Sequence, residues 1–404
     1  MLLLDTDSLR SGHVAAVPVR HRSRPDVELI AAGAVLDGKM IRQIKGLSVP
    51  AVWVRYEPMD FLDTRINDRT TQRRDDVYAT LTQDFALPTA TTVGLGRFTR
   101  YCELINEWII ELVVEQRADL AVRTTDLLAT TGDDLFAHSV NVAHLALGLA
   151  LRLTGYVVHQ RRCAGSTAAG DLTNLGAGAI LHDVGKLQMP STLGLHEPLN
   201  AAPTRAYREH PRRGLKVINE RAAATARAVV LHHHQRMDGT GFPDMASVTR
   251  KRRRGALAGE NIHIFPRLVA VCDTFEHLCH DGSGRRRPTV AALQDLAADK
   301  LRGRFDPVIL RALLTHVSPF DLGMAVRLSN GRLAGVVRQN SQLPCRPTVR
   351  LLDVDDPDER DINLAHHPGL HVAEALGVKV RRWLFERTLA AKIPVAEPVE
   401  IAGE

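Results

Sequence analysis

Gly176-Ala177-Gly178-Ala179-Ile180-Leu181-His182-Asp183-Val184-Gly185-Lys186 is the stretch on which the reading of this chain turns. Its first six residues are small or apolar and predict a buried helix, with the polar pair His182-Asp183 emerging from its end. A buried charged pair is costly unless something neutralises it. A metal ion would do so, and so would hydrogen bonds. Lys186, three residues on, places a cation where it could hold an anion.

Working outward, more residues of metal-ligating type stand in helical surroundings. Asp134 and His138 are four apart and share a helix face. His210 precedes Pro211, with Gly214 soon after. His233 and His234 are adjacent, so both reach one site only from a helix end or an irregular turn. The stretch Asp238-Gly239-Thr240-Gly241-Phe242-Pro243 supplies such a break. Asp273 ends the apolar run Leu268-Val269-Ala270-Val271-Cys272, where a lone carboxylate needs a partner. Imidazole and carboxylate without thiolate suit iron or manganese as well as zinc. Two such cations about 3.5–4 Å apart activate a shared water and neutralise a phosphate oxygen. A lysine adds stabilisation where negative charge grows. The set points to metal-assisted cleavage of a phosphodiester.

The whole chain sets the frame. Its 404 residues predict two or three domains. With 45% hydrophobic and 24% charged residues it has the balance of a soluble globular protein. Only 4% are aromatic, so aliphatic residues must fill the core, which argues against a stacking platform for single strands. No DNA binding is expected. The net charge of +6 gathers partly in Arg73-Arg74, Lys251 to Arg254 and Arg285 to Arg287. These clusters read as solvated loops or as a face towards an anionic ligand. The five cysteines form no CxxC pair, and reduced thiols in a cytoplasm are the simpler reading. No run of about 18 apolar residues occurs, so no membrane span is expected. Met1-Leu2-Leu3-Leu4-Asp5 does not read as a signal peptide.

The pattern predicts a mainly α protein with small flanking units. Residues 1–60 read as an N-terminal α/β accessory domain, with strands at 32–37 and 52–54 and a helix over 40–44. Residues 61–128 read as a linker and connecting helix. On that helix Leu104, Trp108, Leu112 and Val113 share a face that packs on its own domain or, in a homodimer, on a second copy. Residues 129–317 read as a helical bundle and 318–404 as a β-rich unit with a loose tail. Ser329-Asn330-Gly331-Arg332 between two apolar-rich runs predicts a hairpin, and 349–352 predicts a further strand.

The segments around these ligands resemble the HD-GYP branch of the HD phosphohydrolase superfamily. They are His138 to Ala143, Leu181 to Lys186, His210 to Gly214, His233 to Pro243, Val269 to Phe275, and Phe305-Asp306-Pro307, in the family's order and spacing. The resemblance implies a helical bundle holding two or three iron or manganese ions, and hydrolysis of cyclic di-GMP to the linear dinucleotide or to GMP. It implies that Asp183 bridges two metals and is catalytic. His182 and Asp273 would serve one metal, and His210, His233 and His234 the other. His138 would complete the first site or help bind a third metal, and Asp134 stands where trinuclear members carry a glutamate. Lys186 would hold the scissile phosphate. The loop from Asp238 and Gly239 through Gly241, Phe242 and Pro243 would touch substrate or a protein partner.

Two departures stand out. The family's Gly-Tyr-Pro is Gly241-Phe242-Pro243 here, and its His-His-Glu is His233-His234-Gln235, which removes a charge beside the metals. Gly284 to Thr289 replaces an Arg-Pro-Tyr-Arg stretch, and one of Arg285 to Arg287 could stand in for a ligand-binding arginine. The leading expectation is an active cyclic di-GMP phosphodiesterase. The alternatives are a nucleotide- or partner-binding signalling module and a phosphohydrolase acting on another nucleotide.

Overall fold

The helix α7 (Thr173–Leu181) runs through the middle of the protein, and its small residues explain why it can. A methyl group at Gly176 would overlap Ile105, and one at Gly178 would overlap Val229. Neighbouring helices therefore close directly onto its backbone. The computed structural model describes residues 1–21, 24–47, 49–65, 68–86, 92–117, 135–161, 165–189, 204–244, 257–281, 286–354 and 360–394.

Around α7 stand α2 (Asp68–Phe85), α3 (Leu95–Arg117), α4 (Leu135–Arg152), α8 (His210–Val217), α9 (Ala224–His232) and α10 (Ile264–Leu278). Short helices α5 (Thr154–Gln160) and α6 (Ser166–Gly170) link α4 to α7, and α11 (Thr289–Leu296) and α12 (Pro307–His316) follow α10. One large apolar core joins them, with Tyr101, Ile105 and Trp108 of α3 fully buried in it. Leu112 is buried too, whereas Leu104 and Val113 are half-buried, so this face of α3 packs on its own domain. Asp306 starts α12 by accepting hydrogen bonds from the Val308 and Ile309 amides, with Pro307 in the first turn, where its missing N–H costs nothing. Among the described residues α4 is long and apolar enough to cross a membrane, but 83% of it is buried inside the protein.

The flanking residues build sheets. Strand β1 (Leu2–Asp5) pairs antiparallel with β4 (Ala51–Val54), and β2 (Val19–His21) with β3 (Arg24–Ile30). Between them lies α1 (Gly38–Gly46), capped by Asp37, whose side chain accepts from the Met40 amide at 2.7 Å. The expected strand at 32–37 is a turn with one isolated bridge, Val14 to Val35, because Asp37 is already engaged in starting the helix. In the C-terminal part β5 (Ala325–Leu328), β6 (Leu333–Arg338), β7 (Thr348–Leu351), β8 (Asp361–Asn363), β9 (Val372–Ala375) and β10 (Val378–Lys379) form one antiparallel sheet. Its order is β10-β9-β5-β6-β7-β8. The Asn330-Gly331 turn joins β5 to β6 as expected.

This sheet and the N-terminal residues share a core. Alternate side chains of a strand point to opposite faces. Val326, Leu328, Ala334 and Val336 enter one cluster, which also takes Val290 of α11. Ala325 and Val337 enter another, with Leu2, Leu4, Val52, Val54 and Met59. The Leu3 amide donates to the Gly323 carbonyl at 2.8 Å.

Candidate metal centre

Three helix ends and two helix faces converge where α7 stops. His182 and Asp183 follow the last turn of α7, and the chain then tightens into a 3-10 turn over Val184–Gln188. A methyl at Gly185 would collide with the His210 carbonyl, so only glycine lets this turn lie on the start of α8. That contact brings His210, the first residue of α8, beside Asp183. His233 and His234 follow the end of α9, His138 lies on α4 and Asp273 on α10. All seven side chains are buried.

They fall into two groups. Asp183, His210, His233 and His234 can each bring one ligand atom within 4.8 Å of the others; so can His138, His182 and Asp273. Asp183 faces both groups. Its Oδ1 lies 3.1 Å from His210 Nε2 and 3.7 Å from His233 Nε2, and its Oδ2 lies 3.4 Å from His182 Nε2 and 3.5 Å from His138 Nε2. Asp273 Oδ1 is 3.1 Å from His138 Nε2.

Backbone carbonyls set the histidine tautomers. His182 Nδ1 is 2.7 Å from the Ala179 carbonyl, His210 Nδ1 is 2.7 Å from that of Tyr207, and His233 Nδ1 is 3.0 Å from that of Val230. A carbonyl only accepts, so each Nδ1 carries the proton and each Nε2 presents a lone pair. The Nε2 atoms of His210 and His233 then face each other at 3.2 Å, two lone pairs aimed at one point beside a carboxylate. His182 Nε2, Asp183 Oδ1 and Asp273 Oδ1 are buried and make no hydrogen bond. This donor set fits divalent cations, which would use those lone pairs and offset the charge of buried Asp183, Asp273 and Glu276.

The electrostatics separate the groups. Burial alone lowers a histidine, but Glu276 and Asp273 beside His138 push it up to about 10. His182 is likewise raised despite burial, by Asp183 and Asp273. Burial carries His210 down to about 4, and it lowers His233 and His234 as well. Burial opposes ionisation of Asp183, yet Lys186 and His182 hold its carboxyl well below the usual range.

The Lys186 ammonium lies 2.5 Å from Asp183 Oδ2 and 5.1 Å from the centre of the Tyr207 ring. In the loop, Asp238 turns outward and accepts from the Thr240 amide and hydroxyl, while Gly239 takes a positive φ of 76°. Gly241 folds the chain back, so that the Phe242 amide donates to the His234 carbonyl at 3.1 Å. Phe242 and Pro243 point inward, and the Phe242 ring stacks on His234 at 4.5 Å. Gln235 does not sit among the ligands. Its amide donates to the Pro243 carbonyl at 2.7 Å and its carbonyl accepts from the Leu257 amide at 2.9 Å. A glutamate could not make both bonds, so this departure ties down the loop.

Asp134, Gly284 and Arg285 lie outside the described residues. Arg286 faces Glu276 at 3.9 Å, and Arg287 pairs with Asp295 at 2.7 Å. Sequence reasoning missed Glu276, His277 and Tyr207. The first two lie three and four residues after Asp273 and thus share its helix face. The His277 ring stacks on His138 at 4.5 Å.

Comparison with known proteins bears on this geometry. Residues 162–309 match the HD domain family. The chain is 30% identical over 231 residues to the cyclic di-GMP phosphodiesterase PA4108 of Pseudomonas aeruginosa, covering 55% of this chain and 49% of that protein. It is 34% identical over 142 residues to the cyclic di-GMP phosphodiesterase response regulator RpfG of Xanthomonas campestris, 34% of each chain. It is 30% identical over 155 residues to the 3'3'-cGAMP-specific phosphodiesterase 2 of Vibrio cholerae, 37% of this chain and 27% of that protein. The chain thus spans half the length of these relatives or less. Residues 162–309, the stretch that matches the HD domain family, carry His182, Asp183, His210, His233, His234 and Asp273, whereas His138 lies ahead of it.

Proposed function

We propose that this chain is a metal-dependent phosphodiesterase that hydrolyses cyclic di-GMP to the linear dinucleotide, to GMP, or to both. One observation carries the reading: the two oxygens of Asp183 face two separate groups of imidazoles whose lone pairs converge. Asp183, His210, His233 and His234 would hold one divalent ion, and Asp183, His138, His182 and Asp273 a second, with iron or manganese suited to both. A third ion, if bound, would draw on Asp134. Bound ions supply the Lewis acidity that activates a water near neutral pH and offsets phosphate charge.

The chain's own groups do the rest. The carbonyls of Ala179, Tyr207 and Val230 hold three imidazoles in the metal-binding tautomer. Phe242 backs His234, and Gln235 fixes the loop that carries Phe242. The Lys186 ammonium holds a non-bridging oxygen of the scissile phosphate and stabilises the charge that grows there. The exposed turn at Asp238 and Gly239 is left for substrate or a protein partner.

The relative named for 3'3'-cGAMP supports a second reading, in which another cyclic dinucleotide is the substrate. Chromatographic product analysis decides between them. Protein purified without oxygen is incubated with manganese(II) or iron(II) and each nucleotide in turn, beside Asp183→Ala. Linear dinucleotide or GMP from cyclic di-GMP with the wild type alone is the expected result. Faster turnover of 3'3'-cGAMP favours the second reading. No product from folded, metal-loaded protein favours a binding module.

A further inference from the structure

We propose that Glu276 is a positioning residue that sets the metal affinity of one of the two groups by holding the Nδ1 side of His138 and so orienting its ring; the inference rests on the metal-centre reading above. His138 differs from the histidines backed by backbone. Its Nδ1 faces the Glu276 carboxylate, at 2.6 Å from Oε2. A carboxylate behind a ligating imidazole fixes the tautomer and raises the basicity of the far nitrogen. That nitrogen, Nε2, faces Asp273 Oδ1 at 3.1 Å and Asp183 Oδ2 at 3.5 Å.

Glu276 is itself held from several sides. It is buried on α10, and its Oε1 accepts from the Asn141 amide at 3.2 Å, one turn along α4 from His138. His280 Nδ1 stands 3.7 Å away and Arg286 Nη1 3.9 Å away from the same oxygen. Every group around Oε1 is a donor or a cation, so this pocket is built for a carboxylate. The arrangement also gives Arg286 a place. Of the arginines expected to stand near a ligand, it reaches the centre through Glu276.

Manganese(II) binding to the full chain tests the proposal, with free ion followed by electron paramagnetic resonance. Wild type, Glu276→Gln, His138→Ala and the double variant are compared. Glutamine keeps the shape and an acceptor but loses the charge. The expected result is a drop of about 10- to 100-fold in affinity at one site, the range for partners behind a ligand, with the other site unchanged. Adding Glu276→Gln to His138→Ala should then cost nothing further, since its effect passes through His138. Unchanged affinity in Glu276→Gln, equal loss at both sites, or losses that add in full would overturn the proposal. Wild type that binds no manganese would instead refute the metal-centre reading beneath it. If Glu276→Gln does not fold, Asn141→Ser removes only the amide on Oε1 and carries the same test, with a smaller selective loss expected and no loss counting against.

Discussion

The two ligand groups that share Asp183 are built from the same residue types yet differ in electrostatic character. His210 and His233 are backed by neutral carbonyls, and with His234 they remain neutral because burial lowers all three. His138 is backed by Glu276, and it and His182 are raised by the carboxylates around them. Without metal, the first group offers lone pairs immediately, whereas in the second the carboxylates beside His138 favour a proton there that an incoming cation must displace. The number of carboxylates around an imidazole, more than its burial, decides which kind it is.

The largest expected effect breaks both groups together. Asp183→Ala removes the carboxylate that each group faces, so both ions should be lost and turnover should fall by at least about 100-fold, the scale of a misplaced catalytic constellation. Elemental analysis and product assay check this; a variant that keeps two ions would sink the shared-carboxylate assignment. Lys186→Ala should leave metal content near the wild-type value and lower turnover by roughly 10²–10³-fold, as when one donor to a transition-state charge is removed. If metal is lost instead, Lys186 serves mainly to neutralise Asp183.

A smaller effect sharpens the comparison at His234. Gln235→Glu deprives the Pro243 carbonyl of its donor and should destabilise the loop behind His234 by about 1–3 kcal/mol. Calorimetry should show a lower Tm, and an unchanged value would mean that the loop is held elsewhere. The smallest effect lies outside both groups. His263 starts α10 by accepting from the Phe265 amide through Nδ1, at 3.2 Å. Burial and then Arg161 and Arg267 lower it from 6.5 to about 4. A group whose folded value is depressed in this way must stay neutral in the fold. Its contribution is whole above pH 6.5 and is lost as pH falls from 6.5 through about 4. His263→Asn keeps a capping oxygen without that titration, so its stability should fall less over that window in parallel urea titrations.

Much of this was legible in the sequence. The run of small and apolar residues before His182-Asp183 predicts a buried helix, and the burial of Leu175 through Leu181 bears that out. The Asn330-Gly331 turn and the strand after it were equally plain, because turn chemistry is local. The residues of ligating type that converge around Asp183 stood out by type and order. Glu276 and His277 did not, since charged residues on a long helix read first as a solvated face. The pairing of β1 with β4 and the core shared by residues 1–60 and the C-terminal sheet left no trace either. Their contacts lie far apart along the chain, and no local pattern records them.

The most direct test of the central claim, two ions joined through Asp183, is the electron paramagnetic resonance spectrum of protein loaded with manganese(II). Two ions sharing a bridging carboxylate should give an exchange-coupled signal that appears with the second equivalent and is missing from Asp183→Ala. A simple sum of isolated manganese signals at two equivalents, the same in wild type and variant, would contradict it.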